Sequence, residues 1–284
     1  MEITDHSGLN FCATRLGNKP HLPDLVLLHG FLGSGKQFLH LIPELSKAVN
    51  PVTVDIIPTA ANVRFDPDSL VAGLQKTLAE IRSARPGKTG RPLVLGYNMG
   101  GRLALSWAVR YPERVTGLVL ESATAGIADP EERRLRREAD ERNAHSISTD
   151  YASFLDEWER NPLFMMTGYP QHNMLKTIQR GQDPDVMARW LSDFGTGVMP
   201  PVWDQLHRIE APVLLVSGAA DPKFCDLAGR MNKLLPRARH VTVLNAGHRV
   251  HMDNPAGYLD CLRNFIASLD KDILEPPFHR RNIR

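Results

Sequence analysis

Three polar residues, far apart in the chain but each following an apolar run, are of types that could act on one another. The first lies in LVLGYNMGGRLALSWAVRYP, where Gly96, Asn98 and Gly100 frame a turn between an apolar run and a helical pattern. This is the frame of a nucleophile elbow, in which glycines let a strand and a helix pack closely around a strained central residue, ordinarily serine. Here that residue is asparagine. A carboxamide has no lone pair basic enough to take a proton near neutral pH and is a poor nucleophile, so a covalent acyl route is closed. The second residue is Asp221, in VLLVSGAADPKF, and the third is His248, in VTVLNAGHRVH. An aspartate that accepts from one imidazole nitrogen fixes the tautomer and stabilises the imidazolium, while the other nitrogen faces residue 98. Proton abstraction without a covalent intermediate remains open to such a pair.

A second loop, LVLLHGFLGSGKQF, supports two readings. Gly30, Gly35 and Lys36 stand at phosphate-loop spacing, but the next residue, Gln37, lacks the hydroxyl that would ligate magnesium. His29-Gly30 after an early strand also fits an oxyanion loop, in which the backbone N–H groups of Phe31 and Met99 would stabilise a developing negative charge. His248 and His251 form an HxxH pair with no third ligand at a recognisable spacing, so no metal is expected, and the chemistry requires no cofactor.

These residues need strands to carry them. Short apolar runs at 25–28, 52–56, 93–95, 117–120, 213–216 and 241–244 read as strands buried on both faces of a mostly parallel sheet, with helices such as 67–83 and 101–111 as crossovers. The class is α/β. From about 125 to 206 the alternation stops: helical patterns at 130–145, 151–160, 174–180 and 184–194 follow one another without a strand. The expected organisation is a core of 1–124 and 207–270, a helical cap of 125–206, and a loosely docked tail of 271–284 with a Pro-Pro pair and three arginines.

Composition narrows the function. A formal charge of +2 over 284 residues gives no ground for a nucleic-acid or membrane partner. The N-terminal MEITDHSGLN has no basic-then-apolar leader pattern, and no run approaches the ~20 apolar residues of a span. Cys12, Cys225 and Cys261 are odd in number and far apart, which fits a reducing cytoplasm rather than a disulfide framework. A monomer or weak homo-oligomer is expected.

The order elbow, acid, histidine resembles that of the α/β-hydrolase superfamily. Within it the chain resembles the 2-succinyl-6-hydroxy-2,4-cyclohexadiene-1-carboxylate synthases of menaquinone biosynthesis, through GYxMGGR at 96–102, LESATAGI with EERRLRREADER at 120–142, and FLDEWERNPLF at 154–164. QRGQDP, FGTG and a tryptophan within 179–203, DPKF at 221–224 and AGHRVHMDNP at 246–255 extend the likeness. The resemblance implies an α/β-hydrolase fold with a cap and a carbon-oxygen lyase that eliminates pyruvate from a small polyanionic cyclohexene carboxylate. By match to the motifs it implies substrate binding by His29, Arg102, Arg136 and Arg180, with Tyr97 and Trp158 shaping the pocket. A salt-bridged helix is the other reading of the arginine run, since Glu132 and Arg136, and Glu138 and Arg142, stand at i,i+4. The chain departs from the pattern at Asn98 and at 54–65, VDIIPTAANVRF, which keeps Pro58 but lacks a Gly-His-Gly element. Two alternatives follow: a hydrolase of esters, thioesters or carbon-carbon bonds, which predicts turnover of activated esters once serine is restored, and a non-catalytic binding protein, which predicts ligand-induced stabilisation without turnover.

Overall fold

Apolar runs buried on both faces form the middle of one eight-stranded sheet in a computed structural model that describes residues 2–4, 8–58, 63–85 and 92–269. The strands are β1 (Glu2–Thr4), β2 (Leu9–Arg15), β3 (Asp24–Leu28), β4 (Asn50–Pro58), β5 (Leu93–Tyr97), β6 (Leu118–Glu121), β7 (Val213–Gly218) and β8 (Ala238–Val243). They lie in the order β1-β2-β4-β3-β5-β6-β7-β8. Every residue of β3, β5, β6 and β7 is buried, as strands covered on both faces require. From β4 to β8 all neighbours are parallel, whereas β1 and β2 add an antiparallel edge.

Three of these strands differ from the sequence reading, which did not include the short β1. β2 is an additional strand whose signal is period-two alternation, with Leu9, Phe11 and Ala13 turned inward, rather than a continuous apolar run. β8 begins at Ala238 and ends at Val243 instead of covering 241–244, and Leu244 is exposed. As the edge strand it is only partly covered, so its apolar residues mark its position poorly.

The helices are α1 (Ile42–Leu45), α2 (Pro67–Ser83), α3 (Met99–Arg110), α4 (Pro130–Thr149), α5 (Tyr151–Glu159), α6 (Gln171–Arg180), α7 (Pro184–Phe194), α8 (Pro222–Leu234), α9 (Val250–Asp253) and α10 (Pro255–Ser268). Leu70, Leu74, Leu103 and Trp107 from α2 and α3 pack on one face of the sheet. Tyr258, Leu259, Leu262 and Phe265 from α10 pack on the other. Among the described residues, only helices and short turns lie between β6 and β7, and three of the four helices there start at an aspartate cap: Asp129, Asp150 and Asp183. No helix among the described residues is long and apolar enough to cross a membrane. The tail at 271–284 and the middle of the altered loop, 59–62, lie outside the described residues.

The junction of β5 and α3 is the tightest in the fold. One residue, Asn98, links them, at φ 49° and ψ −108°. A Cβ on Gly96 would stand 2.4 Å from the Gly100 carbonyl oxygen, and one on Gly100 would stand 2.4 Å from that of Leu28. Both obstacles are backbone and cannot swing aside. Gly100→Ala is therefore expected to destabilise the chain by about 3 kcal/mol or more, measured as a fall in the urea midpoint; an unchanged midpoint would show that the elbow can open.

Candidate active site

The elbow is fixed by backbone bonds on both sides. The Asn98 N–H donates to Glu121 O on β6 at 2.9 Å, and the Arg102 N–H donates to Asn98 O at 3.0 Å. Asparagine is among the few residues enriched at positive φ, so it suits this turn better than most replacements for serine would. Its side chain reaches His248, with Nδ2 2.7 Å from His248 Nε2. The other imidazole nitrogen, Nδ1, donates to Asp221 Oδ2 at 2.7 Å. Asp221 is in turn held by its place as the cap of α8, where Oδ1 accepts from the Phe224 N–H at 3.2 Å.

His248 and Asp221 are 1% and 2% exposed, and Phe224 packs edge-on to the imidazole with ring centroids 4.5 Å apart. With Nδ1–H turned to the carboxylate, Nε2 carries the lone pair, and the Asn98 amide donates to it. The arrangement is an oriented base whose lone pair is engaged.

Asn98, Phe224 and His248 open onto a cavity of about 260 Å³ between the ends of the strands and helices α4, α5 and α7. Phe31 and Met99 both line it. Met99 is the first residue of α3, so its N–H has no intrahelical acceptor and can serve a ligand oxygen. Trp158 lines the cavity and packs edge-on against Phe31, centroids 5.5 Å apart. Tyr97 is set behind this surface, in a smaller recess of about 30 Å³ that it shares with Gln37, Gln179, Arg249 and His251.

The predicted cations separate. Arg102 lines the cavity, is 7% exposed, and donates to Phe194 O and Met199 Sδ, both at 3.1 Å. Among the described residues no carboxylate pairs with it. Burial first, then the charge of Arg136, pulls its guanidinium down to about 9 against the opposing pull of Asp140, which still leaves it charged at neutral pH. Arg136 also lines the cavity and donates to Asp140 Oδ1 at 2.9 Å.

The pairs expected along this helix form differently. Arg136 takes Asp140 rather than Glu132, and Arg134 bridges Glu131 and Glu138. Arg180 is not brought to the site: α6 buries Leu175, Ile178 and Gln179, and the next residue, turned away by the helical twist, is exposed. His29 also turns away. Its Nδ1 donates to Gly30 O at 2.8 Å and its Nε2 stands 3.4 Å from Asp55 Oδ1, beneath the cavity floor.

The remaining motifs have structural uses. His251 and His248 each have their own carboxylate: His251 Nδ1 lies 2.7 Å from Glu121 Oε1, as His248 Nδ1 does from Asp221 Oδ2. Gln37, the residue that spoils the phosphate-loop pattern, is buried and bonds His251 Nε2 at 3.1 Å, and the Gly35 N–H donates to Asp55.

Sequence reasoning missed Arg249, although AGHRVH displays it beside His248. Its guanidinium forks onto Glu159 at 2.7 and 3.1 Å and lies 3.8 Å from the centre of the Phe164 ring. Nearby, Asp253 accepts from the Gly247 N–H and from the Thr167 hydroxyl, at 2.8 and 2.7 Å. The histidine loop is thus tied twice to the helical segment.

Burial pushes the Glu159 carboxyl up, but the hydrogen bond and charge of Arg249, with Gln179 and His172, hold it below its ordinary value of 4.5. A carboxyl held low in the folded chain contributes stability above its unfolded pKa and loses it as pH falls through the folded one. Thermal midpoints of the chain and of Glu159→Gln should therefore differ above about pH 5 and converge well below about pH 4. A gap that does not change with pH would show that the fork contributes nothing through its charge.

The sequence pattern described as the alpha/beta hydrolase family matches residues 25–260. A Bacillus subtilis protein named provisionally as 2-succinyl-6-hydroxy-2,4-cyclohexadiene-1-carboxylate synthase is 32% identical over 95% of this chain and 99% of its own length. The synthase of that name from Pectobacterium atrosepticum is 28% identical, covering 89% and 97%. The solved structure of MenH from S. aureus is similar with a TM-score of 0.82 and 25% identity, over 90% of this chain and 97% of that one. A thermophilic esterase from Thermogutta terrifontis shares the fold, with a TM-score of 0.78 at 20% identity over 95% and 98%.

Proposed function

Because the chain belongs to the alpha/beta hydrolase family, we propose that its cavity binds a polyanionic cyclohexene carboxylate and that the protein is a carbon-oxygen lyase releasing pyruvate from it. This is the reaction implied by likeness to the 2-succinyl-6-hydroxy-2,4-cyclohexadiene-1-carboxylate synthases. The observation that carries the reading is Arg102: a buried guanidinium on the cavity wall with no carboxylate of its own among the described residues. Asp140, whose charge acts on Arg102, is bonded to Arg136, so the buried guanidinium is only partly compensated, and an anionic ligand supplies further counter-charge. The roles follow. Arg102 and Arg136 hold carboxylates, Trp158 forms a wall, the helical segment 125–206 acts as a cap that excludes water, and Phe31 and Met99 offer N–H groups to a developing oxyanion.

His248 Nε2 takes a ring proton. The C–H electron pair forms a new ring double bond beside the succinyl carbonyl, the existing ring double bond shifts one place along, and the C–O bond at its far end breaks with its pair on the oxygen of the three-carbon unit. That enolate takes a proton at carbon, returned by the imidazolium, and leaves as pyruvate. Asp221 stabilises the imidazolium throughout. No covalent intermediate is needed, so Asn98 is compatible with the chemistry once its amide lets go of Nε2.

The Asn98 amide on Nε2 favours a second reading, a binding protein that takes the ligand without turning it over. Pyruvate release from the pathway substrate, measured for the chain and for Asn98→Ser, separates the two. Release by either form supports the lyase. Ligand-induced stabilisation with no release by either supports the binding protein, and turnover of activated esters alone by the serine form would replace both with a hydrolase.

A further inference from the structure

The geometry points to Asp140 as a positioning residue: its carboxylate holds Arg136 side-on, through Nε, and so leaves the two terminal nitrogens of the guanidinium as a fork for a ligand carboxylate. The inference rests on the polyanion reading above and concerns what prepares that pocket for its ligand. Arg136 and Asp140 stand at i,i+4 on α4, and both line the cavity. The bond between them runs from Nε to Oδ1 at 2.9 Å. A guanidinium is a rigid planar donor, so taking up the Nε hydrogen keeps the Nη1–Nη2 edge available for two parallel bonds to one carboxylate. Among the described residues no hydrogen bond or ion pair occupies that edge.

Arg136 needs holding. Arg102 is buried and fixed by its bonds to Phe194 O and Met199 Sδ, and the charge of Arg136 acts against it. Like charges on one cavity wall repel, and Arg136, whose side chain is 38% exposed, is the one that can swing out to water. The charge of Asp140 acts on both arginines, but its side-chain hydrogen bond goes to Arg136 alone. Without that bond the rotamer freedom of a long side chain must be surrendered each time a ligand binds. The seat of Asp140 is built for this carboxylate. The residue is 2% exposed, and burial pushes its carboxyl up against the pull of Arg136, so the charge is kept there at a cost. The FGTG pattern after α7 supplies the room: a Cβ on Gly195 would stand 2.5 Å from Asp140 Oδ2, and one on Gly197 would stand 2.7 Å from the Arg137 N. The two glycines let this turn lie against the part of α4 that carries the pair.

The test is binding of 2-succinylbenzoate, an aromatic dicarboxylate, to the full chain, followed by calorimetry. Asp140→Ala should weaken binding about tenfold, the cost of ordering a side chain that was held before. A carboxylate acting only by repulsion of the anion would make the same change tighten binding, so the sign separates the two roles. Asp140→Asn keeps an oxygen for Nε and should recover most of the loss. Added to Arg136→Met, Asp140→Ala should weaken binding by no more than about twofold beyond Arg136→Met itself, because it acts through that residue. Arg136→Lys leaves Asp140 its counter-charge, yet should lose as much affinity as Arg136→Met, since an ammonium cannot be held side-on and still offer a fork. Unchanged or tighter binding by Asp140→Ala overturns the assignment, as does additivity of the Asp140 and Arg136 changes. Full affinity in Arg136→Lys overturns it too, and decides the question even if Asp140→Ala unfolds the chain. Absence of 2-succinylbenzoate binding by both the chain and Asn98→Ser overturns the polyanion reading itself, and this inference with it.

Discussion

Asn98→Ser should release pyruvate on the order of 10³-fold faster than the chain with asparagine. A serine hydroxyl can donate to His248 Nε2 as the Asn98 amide does at 2.7 Å, but it can also surrender its proton and act on the substrate, whereas a carboxamide can only hold the lone pair occupied. Removing the serine from a triad costs about 10⁶ in turnover, with about 10³ to 10⁴ over water left from binding and the oxyanion donors. Elimination bypasses the covalent step, so the gain should fall below the full factor. Asn98→Ala sharpens the point. It frees Nε2 without adding a nucleophile, and should therefore rank between asparagine and serine despite about 1 kcal/mol of added backbone strain at φ 49°. An alanine form no faster than asparagine would show that the engaged lone pair is not what limits the reaction.

Arg102→Met should pull stability and function in opposite directions. Burial, with the charge of Arg136 and against that of Asp140, draws the guanidinium down to about 9, which means the folded chain carries this charge at a cost. A methionine of similar reach should raise the unfolding free energy by about 1–3 kcal/mol, seen as a higher urea midpoint. The same change should weaken 2-succinylbenzoate binding by about 10²-fold or more, as expected when one side of a buried charge pair is removed, read by calorimetry. Loss of both stability and affinity would instead make Arg102 a structural residue whose bonds to Phe194 and Met199 matter most.

What the sequence disclosed was the part written in local pattern. Gly96, Gly100, Asp221 and His248 lie beside apolar runs, and the fully buried strands β3, β5, β6 and β7 are those runs. What it hid depended on direction or distance. Whether Arg180 and His29 reach the cavity is decided by one step around a helix and by one carboxylate on a neighbouring strand, neither of which a motif records. Arg249 and Glu159 meet across 90 residues, so nothing local could announce their fork. β2 was legible in principle, through alternation rather than apolar content.

The two ties between the histidine loop and the helical segment make the site an interlock. Arg249 grips Glu159 immediately after His248, and Asp253 grips both Gly247 and Thr167. Lifting the helices to admit a ligand must either part both grips or drag the imidazole away from residue 98. The contacts that hold the helices over the cavity are therefore the same ones that hold the histidine loop in place.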